Sequence, residues 1–263
     1  MYTRPTKQRA RTNIERAGLT TLLAAVAMLS QPAAAAPTQR YVTDDHGDFI
    51  QFGNTVGFDC RDGKVEKPVV GSVPMGLLDV FSCGGALPDT DNGVDILWRS
   101  DYPGTNQATA STLLDPQSGR STAVLALPAG AQVLMARLYW AAQRTAGQGA
   151  GTTVQFERPG ALSKTITAQA GTSKVIRVSN LDYYQSSADV TKEVQALGNG
   201  AYRVGNIQTI DVRAQTLDVA FVAWNIVVFY HLDSAPIRNL ALFDGLERIS
   251  SGGSSTTTVN LSG

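Results

Sequence analysis

Residues 217–230, Leu-Asp-Val-Ala-Phe-Val-Ala-Trp-Asn-Ile-Val-Val-Phe-Tyr, form the most apolar run outside the N-terminal leader. The run falls short of the ~20 residues that span a bilayer as a helix, and Asp218 and Asn225 interrupt it. It therefore reads as a central strand buried on both faces. Shorter apolar runs recur at 49–52, 69–70, 77–81, 96–98, 123–127 and 133–142, with Gly, Pro, Asn and Asp between them. Residues 153–156 and 174–178 alternate apolar and polar, as half-buried strands do, and 237–243, 247–249 and 258–261 continue the series. Residues 100–119 read as a polar loop. Helical spacing occurs once, over 187–197, where Val190, Val194 and Leu197 share a face and Gly198-Asn-Gly200 stops the helix. Short strands with one short helix predict an all-β fold, an antiparallel β-sandwich of jelly-roll-like form.

The first 36 residues stand apart. Arg4, Lys7, Arg9, Arg11 and Arg16 precede an apolar stretch from Leu19 to Leu29, and Pro32-Ala-Ala-Ala-Ala36 supplies small residues for cleavage. This is the pattern of a secretory signal peptide over 1–36. The remaining 37–263 then form a single β-sandwich domain, with a loop-rich part at 37–120 and core strands at 121–263. No transmembrane span is expected in this mature part. The whole chain balances 22 Lys+Arg against 22 Asp+Glu. Without the leader it carries minus four, which leaves no excess of basic surface for nucleic acid.

Export changes how Cys60 and Cys83 read. They are the only two cysteines, and an oxidising compartment makes them a disulfide that staples the loop-rich part. Closing a loop of about 24 residues stabilises by roughly 3 kcal/mol on the chain-entropy picture.

Catalytic motifs are absent from the sequence: there is no G-x-S-x-G elbow, phosphate-binding loop, H-E-x-x-H or dinucleotide fingerprint. A Ser-His-Asp arrangement could be assembled from His231, Asp233 and a serine, but a histidine at a strand end also fits a structural role. Asp89-Thr-Asp-Asn-Gly-Val-Asp95 carries three carboxylates, Asp89, Asp91 and Asp95, around a tight turn. They make either a calcium site or a plain Asx-rich turn, because Gly93 sits one place early for an EF-hand and Ser100 replaces its closing Glu. No other cofactor is expected. Tyr183 and Tyr184 are the aromatic pair best placed to offer a sugar-binding platform, with packing in the core as the alternative.

From residue 133 onward the chain resembles the N-terminal β-sandwich domain of large secreted bacterial surface proteins, adhesin-like and gliding-motility-associated. The likeness rests on Ala136-Arg-Leu-Tyr-Trp-Ala-Ala142, Ser187-Ala-Asp-Val-Thr191, Gly200-Ala-Tyr-Arg-Val204, Trp224-Asn-Ile-Val-Val-Phe-Tyr230, Ala235-Pro-Ile-Arg-Asn239 and Phe243-Asp-Gly-Leu246. It departs at Asn225, where a small or hydroxyl residue is usual, and at His231-Leu-Asp233, where an acidic pair is usual. The resemblance implies a non-enzymatic module at the cell surface, facing a polysaccharide or protein partner, in a longer protein that continues past residue 263. It carries no catalytic residues. A second class, a carbohydrate-binding or carbohydrate-active sandwich, remains open. Arg238 is expected to pair with Asp244 and fix the turn between them.

Overall fold

The computed structural model describes residues 37–59, 96–102, 107–111, 114–210 and 221–249. The signal-peptide segment, Cys60, Cys83, Asp89, Asp91, Asp95 and the strands expected at 69–70, 77–81 and 258–261 lie outside them.

The strands are β1 (Thr38–Thr55), β2 (Gly57–Asp59), β3 (Ile96–Tyr102), β4 (Gln107–Ser111), β5 (Arg120–Leu125), β6 (Gln132–Thr145) and β7 (Thr153–Arg158). They are followed by β8 (Leu162–Thr167), β9 (Lys174–Val178), β10 (Leu181–Asp189), β11 (Gly200–Gly205), β12 (Val222–His231) and β13 (Ile237–Asp244). One sheet runs β13-β1-β12-β6-β10-β9 and the other β2-β3-β5-β11-β7-β8, with β4 added on β3. Among the described residues pairing is antiparallel apart from one parallel bridge, Ser100 to Arg120. The nesting is diagnostic: β1 pairs with β12 and β6 with β10 in one sheet, while β5 pairs with β11 and β7 with β8 in the other. Early strands thus find late partners, alternately in the two sheets, which is the jelly roll that the strand pattern predicts.

Alternation along each strand builds the core. On β6, Ala136, Leu138, Trp140 and Ala142 face inward; on β12, Val222, Trp224, Ile226 and Val228 do the same. Trp140 stands opposite Trp224 in the register of these two strands. Both indoles are buried and both satisfy their N–H, Trp140 on the Gly151 carbonyl and Trp224 on the Ser121 hydroxyl, each at 2.8 Å.

Residues of the opposite parity form a second apolar cluster. Tyr139, Val227 and Phe229 turn to the outer face of the first sheet and are covered there by Leu240, with Tyr41 and Leu242 packed alongside. The cover exists because β1 is unusually long. Residues 47–55 pair with β12, whereas 38–46 pair with β13, so β13 and the first half of β1 form a ribbon lying on that outer face. Two glycines allow the close approach between β1 and β12. A Cβ on Gly47 would collide with the Tyr230 carbonyl oxygen, and one on Gly53 with that of Trp224.

The α-helix among the described residues, α1 (Thr191–Leu197), is shorter than its periodicity predicts. Ser187 is fully buried and pairs with Tyr139, so the segment up to Asp189 belongs to β10. Asp189 then turns the chain, its carboxylate accepting from the Thr191 N–H at 2.8 Å. Gly198 ends the helix at φ 59° with its N–H on the Val194 carbonyl, which is the stop expected of it. Residues 100–119 are not one loop, since they hold the end of β3 and all of β4, and 247–249 are not a strand.

Candidate functional site

The two tyrosines singled out from the sequence do not act together. They are successive residues of β10 and so point to opposite faces. Tyr184 is 1% exposed in the core, with its hydroxyl on the Gln208 carbonyl at 2.6 Å. Burial pushes its phenol well above the ordinary value. It cannot belong to an exposed platform. Tyr183 faces outward and stacks on Phe221, with ring centroids 6.3 Å apart and planes 26° from parallel. The backbone N–H of Phe221 is held by the buried side chain of Gln143 at 2.5 Å, and Gln143 stands opposite Tyr183 in the sheet. The outward aromatic surface is therefore Tyr183 with Phe221, 40% exposed, and not Tyr183 with Tyr184. Phe221 was missed because its neighbours in sequence mark it as one more core residue.

Asp182, fully buried on the face opposite to Tyr183, anchors the turn after β6. Its carboxylate accepts from the N–H groups of Gly147 and Gly149 at 2.8 and 3.1 Å and from Arg177 Nε at 2.7 Å. The Arg177 guanidinium, together with those two amides, holds the carboxyl down at about 2. Arg177 itself stays more than half exposed; it stands opposite Asp182 in the register, so it lies on the other face of the sheet from Tyr183. An outward stacked aromatic pair suits a ligand with one apolar face and hydroxyls at its edge.

The two histidines of the chain meet at the corner between β12 and β13. Their rings lie 6.5 Å apart, edge to face. His231 reaches Asp45 through Nδ1 at 2.7 Å and Asp233 through Nε2 at 2.9 Å. Both ring nitrogens are thus occupied by carboxylates, and neither is left for a serine hydroxyl. The triad that could be drawn from the sequence is not assembled here. Asp233 and then Asp45 raise the imidazole's affinity for its proton, while His231 lowers that of Asp45. Among the described residues no group of three or more His, Cys, Asp and Glu is arranged to hold a metal.

Arg238 does not pair with Asp244. The two sit at opposite ends of β13, six positions or roughly 20 Å apart in an extended chain. Arg238 donates instead to the Gly47 carbonyl at 2.7 Å and lies 3.4 Å from the Asp48 carboxylate. Asp244 takes Arg40 Nε at 2.7 Å and the Tyr139 hydroxyl at 3.2 Å.

A buried charged array on the outer face of the second sheet has no counterpart in the sequence reading. Arg99 and Asp101 are both fully buried and paired. Asp101 also accepts from the Thr122 N–H at 2.9 Å, and Arg203 links its carbonyl to the Glu157 carboxylate at 2.5 and 2.6 Å. Burial pushes the Asp101 carboxyl up against the pull of Arg99. Charged residues at alternate positions 99 and 101 were the available signal; they read as solvated because nothing local shows what covers them.

Comparison with family descriptions, with curated proteins and with solved structures finds no match for this chain.

Proposed function

We propose that this chain is an exported, non-enzymatic module that works at a bacterial cell surface, within an adhesin-like or gliding-motility-associated protein. The reading is carried by an n-region, apolar stretch and small-residue cleavage zone in front of a jelly roll. A two-sheet scaffold with an indole hydrogen bond between its sheets, Trp224 to Ser121, suits the presentation of a fixed surface to a partner. Mass spectrometry of the full chain expressed in a bacterial host, with protease shaving of intact cells, tests it. Loss of residues 1–36 and cleavage by external protease are expected. An intact leader on cytoplasmic protein overturns the reading.

The pairing of Tyr183 with Phe221 favours a second reading, saccharide binding by the open part of the first sheet's outer face. A glycan array probed with the full chain tests this: saturable binding that Tyr183→Ala abolishes is expected, and uniform background overturns it.

A further inference from the structure

The other end of the same outer face holds a different kind of site. A groove of about 680 Å³ runs between the ribbon, β6 and α1, lined among others by Arg40, Tyr41, Met135, Arg137, Asp189 and Lys192. Its size is in the range of small-molecule sites. Arg137 projects from β6 and is 5% exposed. Its Nε donates to Ser187 at 3.1 Å and its Nη1 to Gln169 at 3.1 Å, but its Nη2 is buried without a hydrogen-bond partner. The nearest carboxylate, Asp244, lies 3.9 Å from Arg137 Nε and is already engaged by Arg40 and Tyr139. Two guanidiniums therefore share one carboxylate in a region that is largely dry. A buried guanidinium with an unmet donor is costly, and an incoming anion would meet it.

We infer that this groove binds the carboxylate of an acidic sugar, a hexuronate unit. The carboxylate would meet Arg137 and Lys192. The surroundings narrow the class: Asp189 repels a multiply charged anion such as a phosphate monoester yet accepts hydroxyl donors, while Glu193 is held by Lys164 at 2.6 Å. Tyr41, Leu134 and Met135 offer an apolar wall to the ring. Asp189 and Tyr183 are six positions apart on β10, roughly 20 Å, so the groove is separate from the aromatic pair. This assignment rests on the saccharide reading above and adds to it a second subsite with a charge preference.

The test is calorimetric titration of the full chain with free glucuronate, glucose and inorganic sulfate, repeated on Arg137→Gln, Lys192→Gln and Tyr183→Ala. Glucuronate is expected to bind saturably to the wild type and to Tyr183→Ala, and about tenfold or more weakly to Arg137→Gln. Because Arg137 is buried and its replacement can unfold the chain, exposed Lys192 carries the same test, and Lys192→Gln should weaken glucuronate severalfold. Glucose or sulfate binding to Tyr183→Ala as tightly as glucuronate does overturns the inference, as does glucuronate binding that only Tyr183→Ala reduces. Glucose binding lost in Tyr183→Ala, without any preference for glucuronate, removes the groove and leaves the saccharide reading standing. Binding of none of the three ligands removes both.

Discussion

Trp224 in β12 donates its indole N–H to the Ser121 hydroxyl in β5 at 2.8 Å, and both residues are buried between the sheets. This hydrogen bond crosses the sandwich where apolar contact alone would leave the sheets free to slide. Ser121→Ala keeps the packing but leaves the indole donor unmet, at a cost of about 1–3 kcal/mol. Replacing exposed Ser234 by Ala should stay within about 0.5 kcal/mol. Urea denaturation of both variants measures the difference.

Asp182 ties the turn after β6 to β9 through two glycine amides and Arg177. Its folded pKa of about 2 lies below the ordinary ~3.9, so its stabilisation is fully present above that ordinary value and is lost as pH falls through about 2. Asp182→Asn should therefore be less stable than wild type at neutral pH, and the gap should narrow as pH approaches 2. Denaturation midpoints measured across that range check it; a gap independent of pH removes the electrostatic account.

The strand pattern made the jelly roll legible because β6 and β12 carry two-residue alternation or continuous apolar sequence, and both are central strands. Other elements were hidden for physical reasons. The first half of β1 is rich in charge, as solvated chain is; in the fold its carboxylates brace neighbours, Asp44 accepting from Asn239 and Asp45 held against His231. Residues 187–189 satisfied a helical spacing by coincidence of Val190, Val194 and Leu197, while Ser187 was already committed to β10. Tyr183 was found by composition and Phe221 was not, because which of two adjacent residues faces outward depends on register, and register is set by partners far along the chain. The Arg137 groove depends on the ribbon of β1 and β13 folding over β6, a long-range event with no local signature.

His231 sits between Asp45 and Asp233, which raise its pKa above the ordinary ~6.5. Its contribution is fully present below that ordinary value and disappears as pH rises through the raised folded value. Asp45 runs the other way: its lowered pKa gives stabilisation above the ordinary carboxylate value that is lost as pH falls through the folded one. The corner between β12 and β13 is thus firmest in mildly acidic solution. Proton NMR should show the His231 imidazole titrating above 6.5, assigned by its loss in His231→Asn. Asp45→Asn should move that midpoint down; an unmoved midpoint refutes the coupling.

Tyr183 and Tyr184 separate packing from recognition in a single pair of variants. Tyr184→Phe keeps the buried ring and removes the hydroxyl that donates to the Gln208 carbonyl at 2.6 Å, which should cost about 1 kcal/mol. Tyr183→Ala removes the outward ring and its stacking on Phe221, worth about 0.5–1.5 kcal/mol beyond area burial. Tyr184→Phe therefore loses stability without losing the outward ring. The two variants should differ in binding, because only Tyr183 presents a ring face outward beside Phe221. Neutral saccharide identified on a glycan array should bind Tyr184→Phe as it binds wild type and should not bind Tyr183→Ala. Equal loss in both variants would mean that binding follows stability, and the outward pair would then be packing alone.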